Sequence, residues 1–340
     1  MTDYLVGTQL NEALAAGQNI SISWPFADGS IKDWTQAEAI WKHVLFKQLG
    51  LRRVQNESPV LLSIFSGLSR STYERICQMF FERFNVAGFG ILERPRSQLY
   101  STTSLTGVVV DIGWETTDIS PIYENLILQH ACASVPLGLR HCQNYLAHLL
   151  RSNQSVISTL SPPESPLSPE ELQFTLIELV KQIWEEGHIK VPSSGETLVV
   201  DDEGITDIAA IVMAGKEKAV IESGMKKKAT AKASAAEQAR AREIEAMDLL
   251  TVQFRGKSLT LGKERHRFCE PLFDPGLLKA VEGTAPDMSL QEATGLAVKH
   301  ADVDQRRYIW EGLFVTGDIT THVKGMFIFC HMDHILDLFG

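Results

Sequence analysis

The sequence predicts an α/β fold with parallel strands, and three neighbouring segments carry that prediction. Residues 60–64 are a short apolar run typical of a strand, and residues 87–92 are a second one. Between them, residues 71–84 place Ile76, Phe80 and Phe84 at helical spacing, which predicts that these three side chains face inward. A strand, a helix and a strand at these distances predict a crossover that joins two parallel neighbours.

Composition limits the class of protein. The chain has 340 residues, enough for one large or two medium domains, and 44% of them are hydrophobic. A net charge of −10 argues against a general nucleic-acid binder. The five cysteines are scattered without a C-x-x-C pair, which is typical of a reducing compartment and disfavours a zinc site. No signal peptide or membrane-length apolar stretch is apparent, so we expect a cytoplasmic or nuclear protein with no membrane contact.

Two helix starts are predicted near the beginning of the chain. Residues 33–38 read as a helix start in which Thr35 and Glu38 have capping-box spacing. Ser71 and Glu74 have the same spacing at the start of the next helix.

A hairpin and a helix are predicted after residue 106. Residues 107–112 form a nearly continuous apolar strand, 114–117 a turn, and 119–128 the second arm of the hairpin. Residues 135–153 then read as a helix. The residues expected on its inner face are Leu137, Cys142, Tyr145, Leu146 and Leu149.

The following region changes character twice. A proline-rich linker, 161–169, leads into a helix with Ser168 as its cap and Pro169 at its first position. Residues 215–246 are rich in Ala, Lys, Arg and Glu, which predicts a solvated, helical and partly disordered excursion. Residues 252–261 then predict a short hairpin that turns at residues 255–257.

For three polar motifs, the sequence favours a structural role over a functional one. GKERHRF, residues 262–268, is interpreted as a structural hairpin exit. HMDH, residues 331–334, has metal-ligand spacing but no supporting ligands nearby, so we expect no metal. The lysines at 226–228 fit a solvated face better than a localisation signal or a DNA-facing patch, because glutamates flank them.

Several longer motifs occur in the order found in one protein family. They are PFADGSIKDWTQAEAIWKHVLF, PVLLSIFSGLSRSTYERICQMFFERFNVAGF, GVVVDIGWETTDISPIYEN, LGKERHRFCEPLFDP, ADVDQRRYIW and LFVTGD. Together they resemble actin and the actin-related proteins over residues 3–153 and 252–325. The resemblance implies an α/β, actin-like two-lobed fold with ribonuclease H-like sheets and flanking helices.

The same resemblance implies a division of the chain. Residues 1–105 match a remnant of actin-like lobe 1, and residues 106–325 match lobe 2 with a diverged charged insertion at about 185–247. Residues 326–340 are unlike the family, and we interpret them as a translated intron. We expect the fold to be incomplete at both ends, and the chain to be poorly soluble alone because sheet edges would be exposed.

The family's nucleotide site has partial matches here. Asp111 and Gly113 match the start of the D-x-G-x-G phosphate turn, and Gly317 matches a glycine of the adenine-contacting region, so the resemblance implies these three as vestigial cofactor-binding residues. Trp114 and Glu115 stand where nucleotide-binding members carry a second acid and a second glycine. A Cβ obstructs the approach of backbone to phosphate, and a carboxylate repels it.

The hydrolytic residue also differs. The family's catalytic Gln falls at Arg94, whose guanidinium only donates hydrogen bonds and so cannot accept a proton from water. The first phosphate hairpin has no match, and Lys181–Gln182 match a further nucleotide-contact helix only loosely. The resemblance therefore implies no catalytic residue and no required cofactor, while weak ATP binding stays open.

Within the family, the charged insertion and the altered phosphate turn resemble the fungal nuclear actin-related proteins of SWI/SNF- and RSC-type chromatin remodellers. That resemblance implies a non-catalytic nuclear subunit. Its expected partners are a second actin-related protein in a heterodimer, a long helix of the remodelling ATPase and, indirectly, chromatin. The alternatives are a nucleotide-cycling actin-type ATPase, a cytoskeletal actin-related protein and a chaperone-like member of the superfold.

Overall fold

The computed structural model describes residues 4–27, 29–52, 54, 57–190 and 248–323. The chain divides into two compact units, Met1–Leu105 and Thr106–Gly340. The predicted excursion at 215–246, the lysines at 226–228 and the tail at 326–340 lie outside the described residues, as does most of the expected insertion.

The first unit is built around one pair of parallel strands. Its elements are α1 (Thr8–Ala15), β1 (Phe26–Ala27), β2 (Ser30–Ile31), α2 (Trp34–His43), β3 (Pro59–Ile64), α3 (Arg70–Gln78), β4 (Gly88–Glu93) and α4 (Arg94–Tyr100). β3 and β4 pair in parallel, from Pro59 opposite Gly88 to Ile64 opposite Glu93. The predicted crossover is confirmed, with α3 and a following π-helical turn, Met79–Arg83, between the strands.

Both predicted capping boxes in this unit are wrong by two residues. Asp33 caps α2, since its carboxylate accepts from the backbone N–H groups of Thr35 and Gln36. Ser69 caps α3 by accepting from Thr72 N–H. Short S/T-x-x-E patterns recur by chance, and the true cap is the residue whose own backbone is still extended, which both Asp33 and Ser69 are.

Aromatic rings form the core of the first unit. Phe80 stacks on Phe89 with ring centroids 4.2 Å apart. Phe84 and Trp41 approach Phe80 at 5.2 and 5.4 Å in edge-to-face and tilted arrangements. Offset and edge contacts of this kind add about 0.5–1.5 kcal/mol per pair beyond area burial. The predicted inward face of the helix at residues 71–84 is thus confirmed.

The second unit holds a mixed sheet and most of the helices. Its strands are β5 (Gly107–Ile112), β6 (Thr117–Tyr123), β7 (Leu126–Ile127), β8 (Ala133–Val135), β9 (Leu250–Phe254), β10 (Lys257–Leu261) and β11 (Leu313–Gly317). Its α-helices are α5 (Leu139–Arg151), α6 (Gln154–Leu160), α7 (Pro169–Glu185), α8 (Glu270–Phe273), α9 (Lys279–Glu282), α10 (Leu290–His300) and α11 (Val303–Trp310).

The main sheet has the order β11-β5-β6-β7, with β8 also on β6. β11 runs parallel to β5, and the other pairs are antiparallel. β5 has the predicted bounds, and every residue in it is buried. The second hairpin arm is shorter than the predicted 119–128, because the chain turns back at Glu124 and Asn125, which both take a positive φ.

The α5 helix begins at Leu139 and not at the predicted residue 135, because Val135 ends β8. Leu137 is buried but precedes the helix, which carries the rest of the predicted inner face in part. Cys142, Tyr145 and Leu146 are buried, but Leu150 is buried in place of Leu149, which is only partly so. The start of α7 is confirmed: Ser168 accepts from Glu171 N–H and the Glu171 carboxylate accepts from Ser168 N–H. The predicted hairpin is also confirmed, as β9 and β10 pair around a turn at Arg255 and Gly256.

Candidate functional site

The structure brings the three predicted nucleotide-contact residues to one edge of the second unit's sheet. Gly317 ends β11 directly opposite Ile112, the last residue of β5. Asp111 precedes Ile112 and is buried, and Gly113 follows it. Because β5 and β11 are parallel, their carboxyl ends meet here, and such edges are where open α/β sheets bind ligands.

Packing accounts for both glycines without a ligand. Gly317 has φ 101°, and a Cβ there would overlap the carbonyl oxygen of Ile112 and lie 2.7 Å from its carbonyl carbon. At Gly113 a Cβ would lie 3.0 Å from the carbonyl oxygen of Thr116, to which the Gly113 N–H donates at 2.9 Å. These positions need glycine so that two strand ends and a tight turn can approach closely.

The turn after Gly113 docks on the first residues of α5. The carbonyls of Gly113 and Trp114 accept hydrogen bonds from the N–H groups of Leu139 and Arg140, both at 2.9 Å. Gly138 makes the approach possible, since a Cβ there would lie 2.5 Å from the Trp114 carbonyl oxygen. Free N–H groups at a helix start are the usual anion donors. Here the turn itself uses two of them.

Charged side chains reinforce this attachment. A Glu115 carboxylate oxygen lies 3.7 Å from Nε of Arg140, and a Glu282 carboxylate oxygen lies 3.9 Å from its Nη1. Glu115, which the resemblance aligns with a family glycine, therefore faces a cation of the same fold. The pair is largely exposed, so it adds at most about 1 kcal/mol.

His141 supports the same helix start from inside. Its Nδ1 accepts a hydrogen bond from Gly138 N–H at 3.0 Å, which requires a lone pair on that nitrogen. Burial lowers the pKa of His141, against the opposing effect of the Glu282 carboxylate. The neutral ring is the form that closes the helix start.

A cavity of about 350 Å³ opens beside the turn. Trp184 and His322 meet edge to face in its wall, with ring centroids 4.6 Å apart. Gln143 is 3% exposed, and the buried indole N–H of Trp184 has no hydrogen-bond partner among the described residues. The cavity is within the size range of small-molecule sites. It is lined by Trp114, Leu139, Gln143, Lys181, Trp184, Asp318, Thr321 and His322.

The loosely matched nucleotide-contact helix reaches this cavity with one of its two residues. Lys181 lines the wall and lies 3.8 Å from the Glu185 carboxylate. Gln182 does not line it and instead donates to the Gln253 carbonyl and the Glu186 carboxylate. Asp318, directly after Gly317, adds a carboxylate to the wall.

A nucleotide triphosphate fits these residues only in part. Two aromatic rings and an unpartnered indole N–H suit a planar polar ring. At the turn, however, two helix-start donors are already used, and Glu115 and Asp318 place carboxylates where a polyanion would need cations. The residues present thus fit a neutral planar group better than a triphosphate.

Arg94, which the resemblance would place at the family's catalytic position, lies in the first unit. It begins α4, and its guanidinium carbon lies 5.4 Å from the Phe65 ring centroid, within cation–π range. It lines an aromatic-walled cavity of about 220 Å³ with Phe26, Trp41, Leu62, Ser63, Ile64 and Phe65.

Sequence reasoning missed Gly138 and Arg140, which contact the turn after Gly113, and Gln143, which lines the cavity. Strands β6, β7 and β8 lie between that turn and α5 in the sequence, so no local pattern connects them. A glycine before a helix start was visible, but it signals a cap and says nothing of what packs there. Trp184 and His322 lie far apart in sequence, so no local pattern joins them.

The described ranges contain four cysteines, all of them free thiols. Within them, Cys142 and Cys269 are buried thiols, Cys77 and Cys132 are half-buried thiols, and burial raises the pKa of Cys269 to about 12. No cluster of three potential metal ligands occurs in those ranges, and the motif at 331–334 falls beyond them. None of the helices placed there is long and apolar enough to cross a membrane.

Comparison with known proteins agrees with the motif order. The family model described as Actin matches residues 1–326. The SWI/SNF and RSC complexes subunit arp9 of Schizosaccharomyces pombe is 29% identical over 314 residues, or 86% of this chain and 56% of that protein. The chain thus spans about half the length of this relative. Both findings confirm the predicted resemblance and the actin-like α/β fold, and the chain belongs to the actin family.

Proposed function

We propose that this chain is a non-catalytic actin-related subunit of a nuclear chromatin-remodelling complex. The observation that carries the proposal is similarity to arp9, a SWI/SNF and RSC subunit, over 86% of the chain. The geometry of the phosphate turn supports the non-catalytic part. Since the chain covers 56% of that relative, the proposal concerns the role that the shared region supplies.

The proposal includes loss of ATP hydrolysis. The turn at Gly113 and Trp114 is attached to α5 through its own carbonyls, and Glu115 faces Arg140. Arg94 has no proton-accepting atom. The fold therefore holds its turn without phosphate, and no nucleotide cofactor is needed for the subunit to bind its partners.

The proposed partners are proteins. A second actin-related protein forms a heterodimer with the chain, and a long helix of the remodelling ATPase lies across the two, so that the subunit couples the motor to chromatin. An amphipathic helix in an apolar groove is a recurrent binding mode that needs no nucleotide chemistry. The net charge of −10 supports indirect contact with chromatin, since DNA would be repelled.

Affinity purification tests this proposal. The natural protein, tagged, is recovered from nuclear extract after nuclease treatment, so that partners bridged only by DNA are lost, and copurifying proteins are identified by mass spectrometry. We expect a remodelling ATPase and a second actin-related protein. Recovery of the protein alone, or with cytoplasmic filament proteins, would contradict it.

A nucleotide-cycling ATPase is the second candidate, favoured by the cavity beside the turn. Replacing Glu115 with Gly restores the family's residue and removes a carboxylate from the turn. If the turn excludes phosphate, Glu115→Gly should bind a non-hydrolysable ATP analogue several-fold more tightly than the parent. The control Glu164→Gly removes the same charge from the exposed linker and should change nothing. Tight binding and turnover by the parent would favour the ATPase.

A further inference from the structure

One histidine ring joins two residues that lie far apart in the sequence, Lys190 and Asp248. Nδ1 of His266 accepts a hydrogen bond from the Lys190 N–H at 3.1 Å. Nε2 of the same ring donates to the Asp248 carboxylate at 2.6 Å. Lys190 precedes the segment 191–247 and Asp248 follows it, so both ends of that segment are bound to one side chain.

Arg265, next to His266, also connects the chain near Lys190 with Asp248. Its Nε donates to the His188 carbonyl at 3.2 Å, and its Nη1 donates to the Asp248 carbonyl at 2.6 Å. Its Nη2 lies 2.7 Å from the Asp248 carboxylate, and only 4% of the side chain is exposed. A buried guanidinium held by several acceptors is costly to deprive of any of them.

The two residues are themselves held firmly in the second unit. They lie on the 3-10 helix Lys263–Cys269, which directly follows β10. Glu264 in that helix is buried and accepts from Asn153 Nδ2 and Gly262 N–H, both at 3.0 Å. The position of Arg265 and His266 is thus fixed by contacts that involve neither end of the segment.

Charges around the imidazole favour its neutral form. Burial lowers the pKa of His266, the carboxylate of Asp248 opposes this, and the cations of Arg265 and Lys190 add to it. For Asp248, burial opposes ionisation, but the hydrogen bond from His266 and the charge of Arg265 outweigh it and lower its pKa. The neutral ring can accept at Nδ1 while it donates at Nε2, as both bonds require.

We propose that Arg265 and His266 form a clasp that fixes both ends of the segment 191–247 at one point, so that the segment is a removable insertion and the second unit folds without it. The motif GKERHRF then has a definite task, which is to hold Lys190 and Asp248 at one point. The entropy cost of closing a loop grows with its length, so a long excursion depends on such a clasp more than a short one does.

The stability that the clasp contributes should depend on the length of the chain between Lys190 and Asp248, and this can be measured. A shortened chain joins Lys190 to Asp248 by a glycine-serine linker of about four residues, which spans a gap on the order of 10 Å. Arg265→Ala and the milder Arg265→Lys are placed in both the full and the shortened chain. Thermal unfolding of all six proteins gives a double-mutant comparison.

We expect the shortened chain to unfold cooperatively with a Tm near that of the full chain. Arg265→Ala should lower the Tm of the full chain by roughly 5 °C or more, and by distinctly less in the shortened chain, where the linker holds the ends. Equal losses in both chains would show an ordinary buried network and overturn the clasp. A shortened chain that does not fold would overturn the proposal as well. If Arg265→Ala prevents folding, Arg265→Lys gives the same comparison.

The pH dependence gives an independent readout. In the folded state the pKa of His266 lies below its ordinary value of 6.5, so the unfolded chain binds more protons between these two values. Stability from the clasp is therefore full above pH 6.5 and is lost as the pH falls towards the lowered value. His266→Asn keeps an acceptor without titrating, and should remove that part of the Tm decline. An unchanged decline would contradict the role given to His266.

Discussion

Two parallel strand pairs in the described part of the chain follow the same pairing rule but are covered very differently. In the second unit every residue of β5 is buried, and β11 ends on it with backbone in direct contact. In the first unit β3 alternates between exposed and covered residues, and Leu61 is 69% exposed. Both pairs place candidate residues at their carboxyl ends.

Packing within the fold explains some of the candidate residues and does not explain others. At the end of β5 and β11, contacts within the fold require glycine at Gly317 and leave little room for a side chain at Gly113. At the end of β4, Arg94 instead borders a cavity with aromatic walls. The family motif at the ends of β5 and β11 is therefore weak support for a bound ligand, because packing within the fold favours the same glycines.

The largest expected effect is at Gly317. Alanine there must adopt φ 101° and overlap the Ile112 carbonyl, so Gly317→Ala should lower the free energy of unfolding by roughly 3–5 kcal/mol. Gly256→Ala is the matched control, with φ 76° and nothing within 4 Å of its Cβ, and should cost about 1–2 kcal/mol. Denaturant unfolding measures both. Similar losses would mean that the crowding at Gly317 is relieved by movement of the strand end.

Strand burial should separate the two units next. Val109 on β5 is 0% exposed, and Val109→Ala should cost about 2–3 kcal/mol through lost burial and the cavity left behind. Leu61→Ala on β3 removes more atoms, but from an exposed position, and should cost under about 0.5 kcal/mol. Both are measured by denaturant unfolding. A large loss at Leu61 would show that the exposed face of β3 is covered in the natural protein.

Helix caps give a smaller contrast. Asn153 caps α6 and also donates to the buried Glu264, so Asn153→Ala should cost about 2 kcal/mol. Asp33→Ala removes only the cap of α2, at an exposed position, and should cost about 1 kcal/mol. Thermal unfolding distinguishes them. Equal costs would mean that Glu264 finds another donor.

The smallest expected effect is a slope against pH. The pKa of His141 is lowered in the folded state, so its contribution to stability is full above the ordinary value of 6.5 and is lost as the pH falls towards the lowered value. Unfolding of His141→Asn between pH 5 and pH 7, about the range of histidine titration, should show a shallower decline than the parent. An identical decline would mean that His141 is not the group that titrates.

Much of the fold could be predicted because local patterns agree with it. The strand at Gly107–Ile112, the crossover between β3 and β4, and the capping box at Ser168 each rest on a short apolar or polar pattern. The errors fell at boundaries. The caps at Asp33 and Ser69 and the turn at Glu124–Asn125 depend on backbone conformation, which residue type only biases.

The sequence offered candidate residues but could not predict what packs around them. Asp111, Gly113 and Gly317 were identified from motifs, and the structure does bring them to one edge. The docking of the turn on α5, the Glu115–Arg140 pair and the cavity wall at Trp184 and His322 are contacts between distant segments. No local periodicity encodes such contacts, which decide whether the edge has room for phosphate.

The most direct test of the account is a measurement of Mg-ATP binding and phosphate release by the full chain. We expect no phosphate release above the rate in buffer alone. We expect a dissociation constant for Mg-ATP no tighter than about 1 mM, equivalent to a binding free energy of about −4 kcal/mol. Micromolar binding with steady phosphate release would contradict it. That result would mean that the turn at Gly113 opens from α5 to admit phosphate.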